Sequence, residues 1–319
     1  MIERMKILIG YDGSECADAA LDDLMRAGLP EVAEAQILTV AEVWLPPPPP
    51  TIEEVVQQAR EVKVPADLKR VYSRVAAAIE AAQEKVERAR DRVMANFPSW
   101  SVCAQAVSGS AAFEMLFKAA ELNPNLIVVG SHGRSAIGRL VLGSISQKVL
   151  TEAACSVRVA RGRVEEPGSP IRMVIGLDGS PGSFSAVRAV ASRNWPANAE
   201  VKLVVVYDKW SLPLVEDLIP AVGDAIDEEN SAEKSWAEAI ALKAANILKD
   251  STLKISQLIR EGDPKVELPK LAEEWSADCI FVGSTGFSNR LERFVLGSVS
   301  AAVAARAHCS VEVVRSFRV

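Results

Sequence analysis

Two sets of residues in this chain have the types and spacing to hold a phosphate. In the first, an apolar run ends at Gly130, Gly133 follows, and after nine more residues Gly143-Ser144-Ile145-Ser146 opens a helical stretch. In the second, an apolar run ends at Gly283, Gly286 follows, and after ten more residues comes Gly297-Ser298-Val299-Ser300. Glycine lacks Cβ, so the backbone there can turn sharply and approach a ligand closely. The N–H groups that open a helix point outward with a partial charge of roughly +0.5, which favours an anion. The serine hydroxyls can add hydrogen bonds. Each set is accompanied by an aspartate just after the first strand of its half, Asp12 or Asp178. A carboxylate suits ribose hydroxyls or an adenine amino group and repels phosphate. Together these residues suggest a nucleotide, with its sugar near Asp12 and its phosphates near Gly143.

Structural roles compete for the same residues. Gly130 and Gly133 could simply form a tight strand-to-helix turn. Asp12 and Asp178 also suit helix N-caps or Asx-turns, roles compatible with ligand contact. Ser144 and Ser298 are good caps as well. His132 lies in the first glycine loop, but its counterpart is Thr285, which argues against a general base there. The cysteines Cys155 and Cys309 read as core residues. No catalytic residue and no metal-ligand set is assigned.

The elements that position these residues occur twice. Ile7 to Ser14 aligns with Met173 to Ser180, with five of eight positions identical. Val141-Leu142-Gly143-Ser144 matches Val295-Leu296-Gly297-Ser298, and Cys155-Ser156-Val157 matches Cys309-Ser310-Val311. The features come in the same order in both halves, so the chain is an internal duplication of a domain-sized unit. Short apolar runs near 5–10, 36–42, 101–107, 125–130 and 156–160 alternate with helical segments near 14–27, 66–95, 110–122 and 143–153. The second half repeats strands near 171–177, 200–207, 253–260, 279–283 and 310–315. Such alternation predicts an α/β fold, a parallel sheet in each half with helices on both faces. Ligands of such sheets bind beyond the carboxyl ends of the strands, where the strand order reverses. The expected domains are 1–163 and 171–319, joined by a turn-rich linker at 164–170. The first half has the longer middle, which includes the polyproline-type run Pro46 to Pro50.

Bulk properties fit this reading. The 319 residues are 49% hydrophobic and 24% charged, with a formal net charge of −6, which disfavours nonspecific nucleic-acid binding. Five scattered cysteines form no CxxC, and no apolar run approaches the length of a membrane span. A soluble cytoplasmic protein without nucleic-acid or membrane partners is expected.

The combined motifs resemble the universal stress protein family in its tandem, two-domain form, over nearly the whole chain. The family's ATP-binding pattern G-x2-G-x9-G-(S/T) is met by Gly130, Gly133, Gly143 and Ser144. Its opening strand with Asp-Gly-Ser is met by Asp12-Gly13-Ser14 and Asp178-Gly179-Ser180. The resemblance implies two tandem open five-stranded parallel sheets in the order 3-2-1-4-5. It also implies ATP, ADP or AMP in the crevice between strands 1 and 4, with Mg²⁺ as a companion of ATP. Adenine contacts would come from the backbone at the end of strand 2, at Val40 and Val206. Single-domain relatives pair through the last strand, so this chain would form an internal pseudo-dimer between 156–160 and 310–315, with a homodimer as a further assembly. The second copy departs from the pattern by one extra residue before Gly297, so the first copy is the favoured site. The family's Cys-Pro before the last strand is Cys155-Ser156 and Cys309-Ser310 here, and its acid before strand 4 is Asp278 but Asn125. The function implied is regulatory nucleotide binding in the stress response. A slow ATPase or phosphotransferase and a nucleotide-free scaffold are the alternatives.

Overall fold

A computed structural model describes residues 4–42, 66–132, 142–162, 168–208, 220–284 and 296–315. The expected sites Gly133 and Gly286, the proline run and residues 164–167 of the linker lie outside these. In the first half, β1 (Met5–Gly10), β2 (Ala33–Ala41), β3 (Ser101–Ser108), β4 (Leu126–Gly130) and β5 (Ser156–Ala160) alternate with helices. These are α1 (Glu15–Asp23, continued by a 3-10 turn, Leu24–Arg26), α2 (Ala66–Asn96), α3 (Ala111–Leu122) and α4 (Ser144–Glu152). The second half repeats the plan with β6 (Arg172–Leu177), β7 (Glu200–Tyr207), β8 (Lys254–Glu261), β9 (Cys279–Gly283) and β10 (Ser310–Val314). Its helices are α5 (Pro181–Ala191), α6 (Pro220–Leu248), α7 (Pro264–Glu274) and α8 (Ser298–Arg306).

Each half has the expected order 3-2-1-4-5, with every pairing inside a half parallel. The two halves do not end as separate sheets. β5 and β10 pair antiparallel, with Arg158 opposite Glu312, and join them into one ten-stranded sheet, β3-β2-β1-β4-β5-β10-β9-β6-β7-β8.

Strand alternation sends Val157 and Val159 of β5, with Val311 and Val313 of β10, to one face. There a single core runs across both halves, covered by Met115 of α3, Leu150 of α4, Leu268 of α7 and Val303 of α8. On the opposite face the core is divided, one cluster under α1 and α2 and another under α5 and α6. Between them the junction is ionic. Arg158, wholly buried, donates to Asp23 at 2.6 and 3.1 Å and to Glu312 at 3.3 Å. Arg193 also donates to Glu312, once at 3.0 Å and once through a shorter bond. Burial alone would lower the pKa of Arg158, but Asp23, Cys279 and Glu312 together raise it.

α2 shows how the sequence writes a helix onto this frame. Val75, Ala82, Val86, Ala89 and Val93 are buried, and their spacing is the helical one. The helix ends at Asn96, just before Phe97 and Pro98, since proline cannot continue the hydrogen-bond ladder.

Candidate functional site

The crevice of each half forms where β1 and β4, or β6 and β9, part at their carboxyl ends. After β1 the chain turns at Gly13, whose φ of +76° suits glycine, and Gly179 repeats this value after β6. The turn is an Asx-turn. Asp12 Oδ1 accepts from the Ser14 N–H at 2.9 Å, and Asp178 Oδ1 accepts from the Ser180 N–H at 3.0 Å. The capping residues are therefore Ser14 and Ser180, whose hydroxyl oxygens accept from Ala17 N–H and Ser183 N–H. Each aspartate is held at its crevice rim by this turn.

The helices that enter the crevices start differently. α4 and α8 have Gly143 and Gly297 as N-caps, with no side-chain cap bond. Ser144 and Ser298 are thus the first helical residues rather than caps. The glycine N–H groups are used, Gly143 on Ser131 O at 2.8 Å and Gly297 on Ser284 O at 2.7 Å. That leaves the N–H groups of Ser144, Ile145 and Ser146, and of Ser298, Val299 and Ser300, as the uncapped first turns. The hydroxyls of Ser146 and Ser300, expected to serve a phosphate, donate instead to Gly130 O at 2.6 Å and Gly283 O at 2.5 Å. They tie each helix start to the end of its strand.

Gly130 and Gly283 also have a role other than close approach to a ligand. A Cβ on Gly130 would lie 3.2 Å from Cys16 O, and one on Gly283 would lie 2.7 Å from Ser183 N. The missing side chains let α1 and α5 pack directly on β4 and β9. Val40 and Val206 are half-buried at the ends of β2 and β7. The chain leaving β1 bonds to β2 through Tyr11 N–H to Leu38 O, at 2.9 Å. Alternation therefore aims the Val40 N–H and C=O past that bond into the crevice.

The two crevices are unequal. In the second half, Asp178, Val206, Gly283, Gly297, Ser298, Val299 and Ser300 all line one cavity of about 580 Å³. In the first, Asp12, Val40, Gly130, Ile145 and Ser146 line a cavity of about 80 Å³, and Gly143 and Ser144 lie outside its lining. Larger side chains explain part of the difference. Leu38, Ile145 and Tyr11 stand where the second half has Val204, Val299 and Leu177. His132 lines the first crevice too, with Nδ1 3.0 Å from Ser131 Oγ and Nε2 without a partner among the described residues. Burial and the Arg161 charge lower its pKa, which keeps it neutral at pH 7.

Several lining residues were not singled out from the sequence, namely Gly10, Gly176, Met115 and Leu268. A Cβ on Gly10 would lie 3.2 Å from the Met115 side chain, and one on Gly176 would lie 2.8 Å from that of Leu268. Their signal was available, because each glycine precedes its aspartate by two residues in both copies. Among the described residues, no group of three or more His, Cys, Asp or Glu side chains is placed to hold a metal ion. No helix among them is long and apolar enough to cross a membrane.

Comparison with known proteins agrees with this duplicated architecture. The model of the universal stress protein family matches residues 3–161 and again 171–315. A universal stress protein of Mycobacterium tuberculosis strain H37Rv is 27% identical over 317 residues, covering 97% of this chain and 96% of that one. One from Methanocaldococcus jannaschii is 33% identical over 144 residues, covering 45% of this chain and 81% of its own length. The crystal structure of a universal stress protein from Archaeoglobus fulgidus superposes with a TM-score of 0.58 at 19% identity, covering 97% of this chain and 96% of that one, and shows the shared fold.

Proposed function

Since the chain belongs to the universal stress protein family and carries its domain twice, we propose that it is a regulatory, adenine-nucleotide-binding protein of the stress response. The site is first of all the crevice of the second half. One observation carries this reading: the uncapped first turn of α8 opens into a cavity of about 580 Å³ that all seven described candidate residues line. Ligand pockets generally measure roughly 300–1,000 Å³. The first crevice, at about 80 Å³, falls below that range and must widen to admit a nucleotide.

In this reading the phosphates of ATP, ADP or AMP meet the N–H groups of Ser298, Val299 and Ser300. Asp178 meets the ribose, and the backbone of Val206 meets adenine. Mg²⁺ arriving with ATP is held by phosphate oxygens and the Ser298 hydroxyl. The halves act as an internal dimer joined through β5 and β10. The five free cysteines suit a reducing cytoplasm.

The test is direct. Purified protein is denatured and its supernatant assayed for nucleotide, and fresh protein is titrated with ATP, ADP and AMP by calorimetry. About one equivalent per chain is expected. Two equal, independent equivalents would refute the inequality of the crevices. Neither retained nor added nucleotide would refute the function.

A further inference from the structure

A third cavity lies away from both crevices, between the halves, where the amino-terminal strand ends of the first half meet α5 and the end of β10. It measures about 940 Å³, and Arg4, Arg188 and Arg315 line it. We infer that this cavity is a separate binding site for a phosphate-bearing small molecule.

The argument comes from a broken symmetry. The two halves are related by a pseudo-twofold axis between β5 and β10, so every feature beside this junction has a counterpart. Many are kept. Arg161 N–H donates to Ser310 Oγ at 2.8 Å, and Arg315 N–H donates to Ser156 Oγ at 3.1 Å. The guanidinium of Arg161 reaches Ala304 O, and that of Arg315 reaches Leu150 O, both at 2.7 Å. On one side of the axis Arg26 closes the junction with a two-pronged pair to Asp278, at 2.8 and 2.9 Å. On the other side, the positions of Arg26 and Asp278 are taken by Ser192 and Asn125, which cannot form that pair, and the cavity opens there.

The remaining charges differ mostly toward positive. The counterpart of Asp22 is Arg188, that of Asp23 is Ala189, and that of Pro170 is Arg4. Against the loss of Arg26 to Ser192, and with Glu312 standing where the other side has Arg158, the cavity side lacks three carboxylates and carries Arg4 and Arg188, in a chain whose net charge is −6. Among the described residues, neither Arg4 nor Arg188 forms an ion pair, and Arg188 donates only to Ser185 Oγ at 3.0 Å. Arg315 is 6% exposed, and its guanidinium meets only the carbonyls of Leu150, Thr151 and Cys155. The one carboxylate at the wall, Glu312, is already bonded to both Arg158 and Arg193. The guanidiniums of Arg4 and Arg188, with no carboxylate left at the cavity to answer them, match phosphate oxygens in geometry and charge. Met5, Val32 and Val314 give the same cavity apolar wall for the body of an organic phosphate.

The test uses the full chain, with inorganic pyrophosphate and phenyl phosphate as probes in calorimetric titrations. Arg188→Asp restores the charge found at Asp22. The double variant Asn125→Asp with Ser192→Arg rebuilds the ion pair of the other side inside the cavity. Ser298→Glu blocks the second crevice, the proposed nucleotide site, and leaves the cavity untouched. At least tenfold weaker binding is expected in each cavity variant, and less than a twofold change in the crevice variant. Phenyl phosphate binding more tightly than pyrophosphate is expected from the apolar wall. Arg188 is exposed, so Arg188→Asp reports even where the double variant fails to fold. Absence of binding to the wild-type chain, or loss confined to the crevice variant, overturns the proposal. Because the crevice variant is measured separately, failure of nucleotide binding and failure of this site are distinguishable.

Discussion

Replacing Gly283 with alanine asks what the glycine at the strand end is for. Its backbone has an ordinary conformation, so only contact decides the outcome. A Cβ there would collide with the carbonyl carbon of Gly182 and lie 2.7 Å from Ser183 N, the second contact alone being about 0.7 Å short of the 3.4 Å at which ordinary contact begins. The atoms it meets are backbone at the start of α5 and cannot rotate away, so the helix end must shift. Overpacking of this kind costs about 1–3 kcal/mol, and a backbone obstacle puts this site near the top of that range. Removing a glycine from the unfolded chain returns about 0.4–1 kcal/mol. The expected net loss is therefore about 2 kcal/mol. At Gly130 the nearest atom would be Cys16 O at 3.2 Å, about 0.2 Å short of ordinary contact. The two effects there should nearly cancel, leaving a change within about 1 kcal/mol. Urea denaturation followed by tryptophan fluorescence measures both losses, and hydrogen exchange assigns them to a half. Equal losses would refute the reasoning. An unchanged stability with selective loss of nucleotide in Gly283→Ala would show that the glycine serves the ligand rather than the packing of α5 on β9.

Other perturbations test the site and the junction. Val204→Leu with Val299→Ile gives the second crevice the bulk of the first, and calorimetry should show at least a tenfold loss of nucleotide affinity. Glu312→Ala leaves Arg158 and Arg193 sharing one carboxylate fewer in a buried site, and a loss of about 3–5 kcal/mol in urea titration is expected. The exposed pair of Lys118 with Glu121 is the control, where Glu121→Ala should cost less than about 1 kcal/mol. Ser180→Ala removes the cap on Ser183 N–H and should cost about 1 kcal/mol. His132 has its folded pKa below the ordinary 6.5 through burial and Arg161, so the unfolded chain takes up the proton first. Its contribution is complete above pH 6.5 and is lost as pH falls toward the folded value. His132→Gln should flatten that part of the stability profile relative to wild type.

Strands and helices were legible because each is written by local rules that tertiary context did not override. The apolar runs ending at Gly130 and Gly283, and the three-and-four spacing from Val75 to Val93, place their elements within a few residues of where they are found. The duplication also made the strand order of one half a guide to the other. Less legible was what the marked residues do inside the crevice. Ser146 and Ser300 look like ligand donors by type, but their hydroxyls are drawn to the strand-end carbonyls 2.6 and 2.5 Å away. The glycines were read for what could approach them from the ligand side, whereas α1 and α5 approach from the other. Spacing alone favoured the first copy, while the sizes of Leu38, Ile145 and Tyr11 decide how much room it has. Side-chain volume across a crevice depends on residues from β1, β2 and α4 meeting in space, which no single motif records.

The joining of the sheets carries the last consequence of duplication. In a dimer of identical chains, a residue on the twofold axis faces its own copy, so a charge there meets the same charge. Here Arg158 and Glu312 occupy equivalent positions of the two copies and face each other in register. Only two different sequences can place opposite charges at that point, so fusion allowed the junction to become ionic while the opposite face stayed apolar. The same freedom let one side of the axis keep the Arg26–Asp278 pair while the other lost it, and let the two crevices take different volumes. The edge that would otherwise recruit another chain is consumed within the molecule. What remains at the two ends of the sheet is β3 and β8.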